Sequence, residues 1–173
     1  MKHLLITFML FLSCITMGAN VSAATMSQAE MEKLVVENAE VISQKKGYVV
    51  FMYNKVKMAL ISDVRHDRMR IIAPITGYLD LASGVKDAVM ESNFHSALDA
   101  RYAVSENVLY SAFIHPMSPL SRHQLKSALN QVSNLALTFG STYTSGELDF
   151  DGKTQKQKPR EIGVSFSAGS SVF

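Results

Sequence analysis

Between Tyr48 and Thr76 three strand-like runs follow one another with almost no chain between them, and that spacing constrains the fold more than any other feature. Tyr48–Tyr53 is apolar on both faces, as a strand covered on two sides requires. Asn54 and Lys55 form a tight turn into Val56–Asp63, where Val56, Met58 and Leu60 alternate with Lys57, Ala59 and Ile61. Arg65, His66, Asp67 and Arg68 make a charged reverse turn into Met69–Thr76. A parallel pair needs a crossover of about a dozen residues or more, so these short connections predict an antiparallel meander. Pro74 has no amide hydrogen to donate, which predicts a bulge, an edge position or an early end for the third strand.

Helices flank this meander. Ser27 precedes Glu30 at the spacing of a capping box, and Met31, Leu34, Val35, Val41 and Ile42 recur near a helical period. The spacing predicts a first helix from Ser27 to Gln44, stopping before Gly47. A second helix falls within residues 79–98, where Val85, Ala88, Val89 and Phe94 share a face. Arg101–Ser105 and Val108–His115 read as a hairpin with Glu106 and Asn107 as its loop, ended by Pro116 and Pro119. From Ser121, Leu125, Ala128, Leu129, Val132, Leu135, Ala136 and Phe139 form an uninterrupted helical stripe, and Gly140 ends it. The order α-β-β-β-α-β-β-α predicts an α+β domain: an antiparallel sheet of about five strands with three helices on one side.

The N-terminus bears on compartment. Lys2 and His3 precede an almost unbroken apolar run from Leu4 to Met17, and Val21-Ser22-Ala23-Ala24 supplies small residues for a signal peptidase. The run is shorter than the roughly 20 residues of a spanning helix. The expectation is a signal peptide over residues 1–24, cleaved after Ala23 or Ala24, and a periplasmic protein without a membrane span. Phe11-Leu12-Ser13-Cys14 loosely resembles a lipoprotein cleavage box, but Phe stands where Leu is usual, so lipidation at Cys14 is the lesser alternative. Cys14 is the single cysteine, so conventional cleavage leaves no thiol, and stability must come from a core rather than disulfides. Residues 25–148 are one domain's worth of chain. Residues 149–173 read as a flexible polar tail, although Ile162–Phe166 has the character of an added strand and Val172-Phe173 that of a protease-recognised end. The net charge of +2 gives no case for nucleic acid or anionic membranes.

Catalytic motifs are missing. Gly163-Val164-Ser165-Phe166-Ser167 fails as a nucleophile elbow at its last position, and the chain has no phosphate-cradling glycine loop, dinucleotide fingerprint or His-Glu-x-x-His pair. The expectation is a protein that is not an enzyme and needs no cofactor. His115 and His123 lie on either side of Pro116–Pro119 and could approach each other, which keeps a metal-ion or small-molecule site there as an alternative. His66 reads as a solvated turn residue, and His95 as a cation suited to a helix C-terminus. Arg65, Asp67, Arg68 and Arg70 form the densest charge cluster, more simply a soluble turn than an anion site.

Two surfaces point to protein binding. The last helix carries Ser127, Asn130, Gln131, Ser133, Asn134 and Thr138 away from its apolar stripe, and uncharged amides suit a surface covered by protein. Tyr48, Val50, Met52, Met58, Ile61, Ile71, Leu109 and Phe113 cannot all face helices on one side, because successive strand residues alternate faces. Some must form an apolar patch opposite, and such patches mark interfaces. The candidate interface residues are Leu109 and Phe113, where they face outward, with Asn130, Gln131 and Asn134.

The element order and one stretch of residues carry a family resemblance. Asn93, Asp99-Ala100-Arg101-Tyr102-Ala103-Val104, Val108-Leu109-Tyr110-Ser111-Ala112-Phe113-Ile114-His115-Pro116, and Leu125–Phe139 with Asn130, Gln131 and Asn134 resemble the YbjN-like group of the type III secretion chaperone-like superfamily. The resemblance covers about residues 27–140. It implies an α+β sandwich whose members often dimerise and hold other polypeptides. Secretion chaperones are cytosolic and usually acidic, whereas this chain reads as exported and near neutral, so loading of a secretion machine is not carried over. No functional residue is carried over. The expected partner is a second copy, as a homodimer, or another periplasmic polypeptide.

Overall fold

The computed structural model describes residues 25–146. The predicted signal peptide, Cys14 and the predicted tail lie outside the described residues. The elements run α1 (Gln28–Asn38), β1 (Glu40–Lys45), β2 (Tyr48–Tyr53), β3 (Val56–Asp63), β4 (Arg68–Gly77), α2 (Ser83–His95), β5 (Arg101–Ser105), β6 (Val108–Pro116) and α3 (Arg122–Leu137). All strand pairs are antiparallel, in one six-stranded sheet of order β1-β2-β3-β4-β6-β5. The α+β class holds, with one strand more than the sequence reading.

That strand comes out of the predicted first helix. α1 ends at Asn38, and Glu40–Lys45 pairs with β2, placing Val41 opposite Phe51 and Lys45 opposite Tyr48. Val41 and Ile42 fit a helical period, but both are β-branched and suit a strand once a partner exists. Gly47 does not stop a helix; at φ 82° it turns the β1–β2 hairpin, with Ser62 N–H donating to its carbonyl and Glu32 Oε1 accepting from its amide at 2.8 Å. Half the predicted capping box forms: Ser27 Oγ accepts from the Glu30 amide, while the Glu30 carboxylate meets Arg122 Nη2 at 2.6 Å.

The other turns follow their residue chemistry. Asn54 and Lys55 (φ 48° and 65°) and Glu106 and Asn107 (φ 48° and 64°) are two-residue hairpin loops with both residues left-handed, a twist that matches the flanking strands. Pro74 lies at a register shift against β6 and beyond the last β3 pair, Ala59 with Ile72. The proline therefore removes no ladder bond to β3.

Register sorts every strand residue onto one of two faces. Val49, Phe51, Met58, Leu60, Met69, Ile71, Leu109 and Phe113 point to the helix side. There they join Met31 and Val35 of α1, Val89 of α2, and Leu125, Ala128, Leu129, Val132 and Leu135 of α3 in one core cluster. Withdrawing each such side chain from water is worth about 1.5–3 kcal/mol, so this layer dominates stability. Helix α3 lies across β3, β4, β6 and β5, and its N-terminus carries a full capping box between Ser121 and Gln124.

Candidate protein-binding face

Among the described residues, the other face of the sheet has no helical layer. The same register places Tyr48, Val50 and Met52 of β2, Ala59 and Ile61 of β3, Ile72 and Pro74 of β4, and Tyr110, Ala112 and Ile114 of β6 side by side on it. Val50 sits opposite Ala59, Ala59 opposite Ile72, and Ile72 opposite Ala112. An apolar band thus crosses four strands at mid-sheet. Arg70 interrupts the face between Ile61 and Ile114, Arg68 lies opposite Asp63, and Arg101 of β5 lies opposite Ala112.

Burial on this face is uneven. Ile114 is 61% exposed, whereas Val50, Ala59, Tyr110 and Ala112 are 6%, 1%, 9% and 7% exposed. Those four are the buried apolar residues that stand outside the core cluster. Burial raises the phenol pKa of Tyr48 and of Tyr110; the Tyr110 phenol adds to the effect at Tyr48, and the Glu106 carboxylate to that at Tyr110.

The sheet edges are less inviting than the face. β1 carries a bulge between Val41 and Ser43 and ends at Lys45, with Lys46 next in the turn, two devices that block strand addition. On β5, Asn93 of α2 substitutes for a neighbouring strand: its Oδ1 accepts from the Tyr102 amide at 2.7 Å and its Nδ2 donates to the Tyr102 carbonyl at 3.1 Å. At Tyr102 the edge is satisfied from within the domain.

The predicted interface residues sit elsewhere. Leu109 and Phe113 are 0% and 4% exposed and face α3, because the parity of β6 sends Tyr110, Ala112 and Ile114 outward instead. The polar face of α3 is partly covered, and among the described residues the cover is the chain itself. Gln131, 5% exposed, accepts from the Asp99 and Ala100 amides at 2.9 and 3.0 Å and donates to Asp99 Oδ2 and Ser127 Oγ. Asn130 accepts from the Tyr53 hydroxyl at 2.8 Å, Ser133 from Asn54, and Asn134 donates to the Ser145 carbonyl. Thr138 and Ser96 tie down Tyr143 and Thr144 in the same way. These amides and hydroxyls clasp three loops to one helix.

His115 stacks on Phe113 with ring centroids 5.7 Å apart, and its Nδ1 lies 2.7 Å from the Pro116 carbonyl. It lines a polar cleft of about 340 Å³ with Asp99, Arg101, Gln124, Ser127 and Gln131; His123 is not among the lining residues. Among the described residues, no three His, Cys, Asp or Glu side chains are grouped to hold a metal ion. In the charge cluster, Asp67 is a fastener: its carboxylate accepts from the Ser118 amide at 2.8 Å and hydroxyl at 2.6 Å, and the hydroxyl bond foremost holds its pKa below the ordinary carboxylate value. Asp63 is lowered likewise, chiefly by its hydrogen bond with His66. No described helix is long and apolar enough to cross a membrane.

No family model matches the chain, and no curated protein matches it. Solved structures give likenesses at low identity. A chain of the HopA1–SchA chaperone–effector complex is 11% identical with a TM-score of 0.49, covering 63% of this chain and 88% of that one. A chain from the Yersinia pestis type III secretion chaperone SycH in complex with a fragment of YscM2 is 18% identical with a TM-score of 0.49, covering 65% and 98%. A chain of the ExsC–ExsE complex is 14% identical with a TM-score of 0.48, covering 63% and 90%. Values this low leave partners and activity to be read from the chain itself.

Proposed function

We propose that this is a non-enzymatic, exported protein that binds an apolar segment of another polypeptide on the helix-free face of its sheet. The observation that carries the reading is the band from Val50 through Ala59 and Ile72 to Ala112, extended by Ile114 at 61% exposure. The part of this face open to water, Ile114 with the half-buried Met52, Ile61 and Ile72, is apolar surface of the kind that marks interfaces. The edges are blunted, so recognition runs through side chains on the face rather than by strand addition. YbjN-like membership, with its habit of holding polypeptides, is part of the same proposal, as are periplasmic export and the absence of a cofactor. Self-association through this face is the alternative occupancy by protein.

The test is a photo-reactive amino acid placed at Ile114 or Ile61 in living cells, with Lys33 and Arg122 on the helix side as controls. A discrete polypeptide captured from the face positions, and lost in Ile72→Asp with the fold retained, is the expected result. Crosslinks no richer from the face than from the helix side would refute the proposal.

A further inference from the structure

We infer that the short cleft between the end of β6 and α3 binds the last residue of a polypeptide, one with a free carboxylate and an apolar side chain. The site is separate from the apolar band and stands without the face-binding reading. β5 is shorter than β6. Its first residue, Arg101, lies opposite Ala112, and Phe113–Pro116 continue with β4 on one side and, among the described residues, no strand on the other. Gln131 makes this gap. A continued β5 would set Asp99 opposite Ile114, but Gln131 Oε1 accepts from the Asp99 and Ala100 amides at 2.9 and 3.0 Å and holds the chain against α3 instead. What is left is the cleft of about 340 Å³, lined by Asp99, Arg101, Ile114, His115, Gln124 and Ser127 with Phe113 and Gln131.

Backbone direction decides what the gap offers. In an antiparallel ladder the N–H and C=O of one residue point to the same neighbour, and the side alternates from residue to residue. Both backbone groups of Tyr102 bond to Asn93, away from β6, so Arg101 is the residue that bonds Ala112. Ile114, two positions on, turns its N–H and C=O the same way, into the cleft. Pro116, next of that parity, has no N–H, and its carbonyl lies 2.7 Å from His115 Nδ1. The notch therefore pairs a single residue, and Arg101 blocks any chain running antiparallel to β6 beyond it. A chain end fits where a through-running strand does not. Its last N–H donates to the Ile114 carbonyl, and its carboxylate accepts from the Ile114 N–H and the Arg101 guanidinium. Arg101 is exposed and donates to the Ala100 carbonyl at 3.2 Å, and among the described residues no carboxylate pairs with it. Asp99 also lines the cleft, its Oδ2 accepting from Gln131 Nε2 at 3.3 Å, and it disfavours a second negative charge on the ligand. A residue paired with Ile114 lays its side chain beside that of Ile114, which is 61% exposed, so an apolar side chain is preferred.

The experiment uses protein expressed from the full-length coding sequence and the peptide acetyl-Gly-Ser-Gly-Leu, with its carboxylate either free or amidated. In an NMR titration the free peptide should shift the amide of Ile114 and leave those of Val50 and Ala59 in place. The amidated peptide should bind at least about tenfold more weakly, and so should the free peptide to Arg101→Gln, because each change removes a charge-assisted hydrogen bond. Amidation leaves the protein untouched, so a folding defect cannot imitate that result. Equal affinity for the two peptides, no binding at millimolar peptide, or shifts at Val50 and Ala59 without one at Ile114 overturns the inference. Free leucine binding as tightly as the peptide also overturns it, making the ligand an amino acid rather than a polypeptide end.

Discussion

Gln131 is a clasp rather than a contact for a partner, and its removal has a calculable cost. In Gln131→Ala the amide of Ala100, a residue with 0% exposure, loses its acceptor, as does the less buried amide of Asp99. A buried donor left unsatisfied costs about 1–3 kcal/mol, while the Asp99 amide can find water and costs less, so the sum is about 2–3 kcal/mol. With an m-value of about 1.5–2 kcal/mol/M for urea, the unfolding midpoint should fall by about 1–2 M. Hydrogen exchange should show the two amides losing protection ahead of the sheet. Gln131→Glu separates acceptor from donor, because it keeps the oxygen but sets a carboxylate against Asp99 Oδ2, where Nε2 now donates at 3.3 Å. Its defect should shrink as the pH drops through the carboxylate range. A midpoint within about 0.3 M of the parent in Gln131→Ala, with both amides still protected, would refute this reasoning and return Gln131 to the interface.

Other perturbations carry definite signs. Gly47→Ala must hold φ 82° and bring Cβ to 3.1 Å from the Ser62 carbonyl oxygen, so it should destabilise by about 1–2 kcal/mol or more in urea titration. Ser111→Ala should run opposite to most core changes: the Ser111 hydroxyl is fully buried with no hydrogen-bond partner, and its loss should be neutral or stabilise by about 1 kcal/mol in the same assay. Ser118→Ala removes the hydroxyl that most depresses the Asp67 pKa, so carboxyl NMR should show that pKa rising. Because the folded-state pKa lies below the unfolded one, this contribution is present above the unfolded carboxylate value of about 3.9 and is lost as pH falls through the folded value. The parent should therefore lose more stability on acidification than Ser118→Ala does, and equal losses would refute the assignment.

Elements whose signals are local were legible in the sequence. The hairpin loops Asn54-Lys55 and Glu106-Asn107, the start of α3 at Ser121 and the break at Pro74 all depend on backbone chemistry within a few residues. The β1 strand was not legible, because Val41 and Ile42 satisfy a helical period as well as a strand, and only Phe51 across the sheet decides between them. The candidate site was legible in kind and not in detail. Too many apolar strand residues for one face implied a second apolar face, but which alternate set turned outward depended on register. Leu109 and Phe113 went to the core, and Tyr110, Ala112 and Ile114 to the face. Counting parity from the inward stripe of β3 across the β4 pairing was the signal that finds them.

The uncharged flank of α3 divides the two kinds of information most plainly. Its composition suggested a surface covered by protein, beside the plainer reading of a simple polar surface. Only the tertiary structure decided that the cover is the chain itself, through Tyr53, Asn54, the Asp99–Ala100 amides and Ser145. The physical reason is the range of the interactions. Periodicity, capping and turn preference act between near neighbours and are written in order along the chain. Apart from Ser145, 11 positions from Asn134, these partners are separated by 31 to 79 positions and meet only after the sheet has closed, and no local pattern names them.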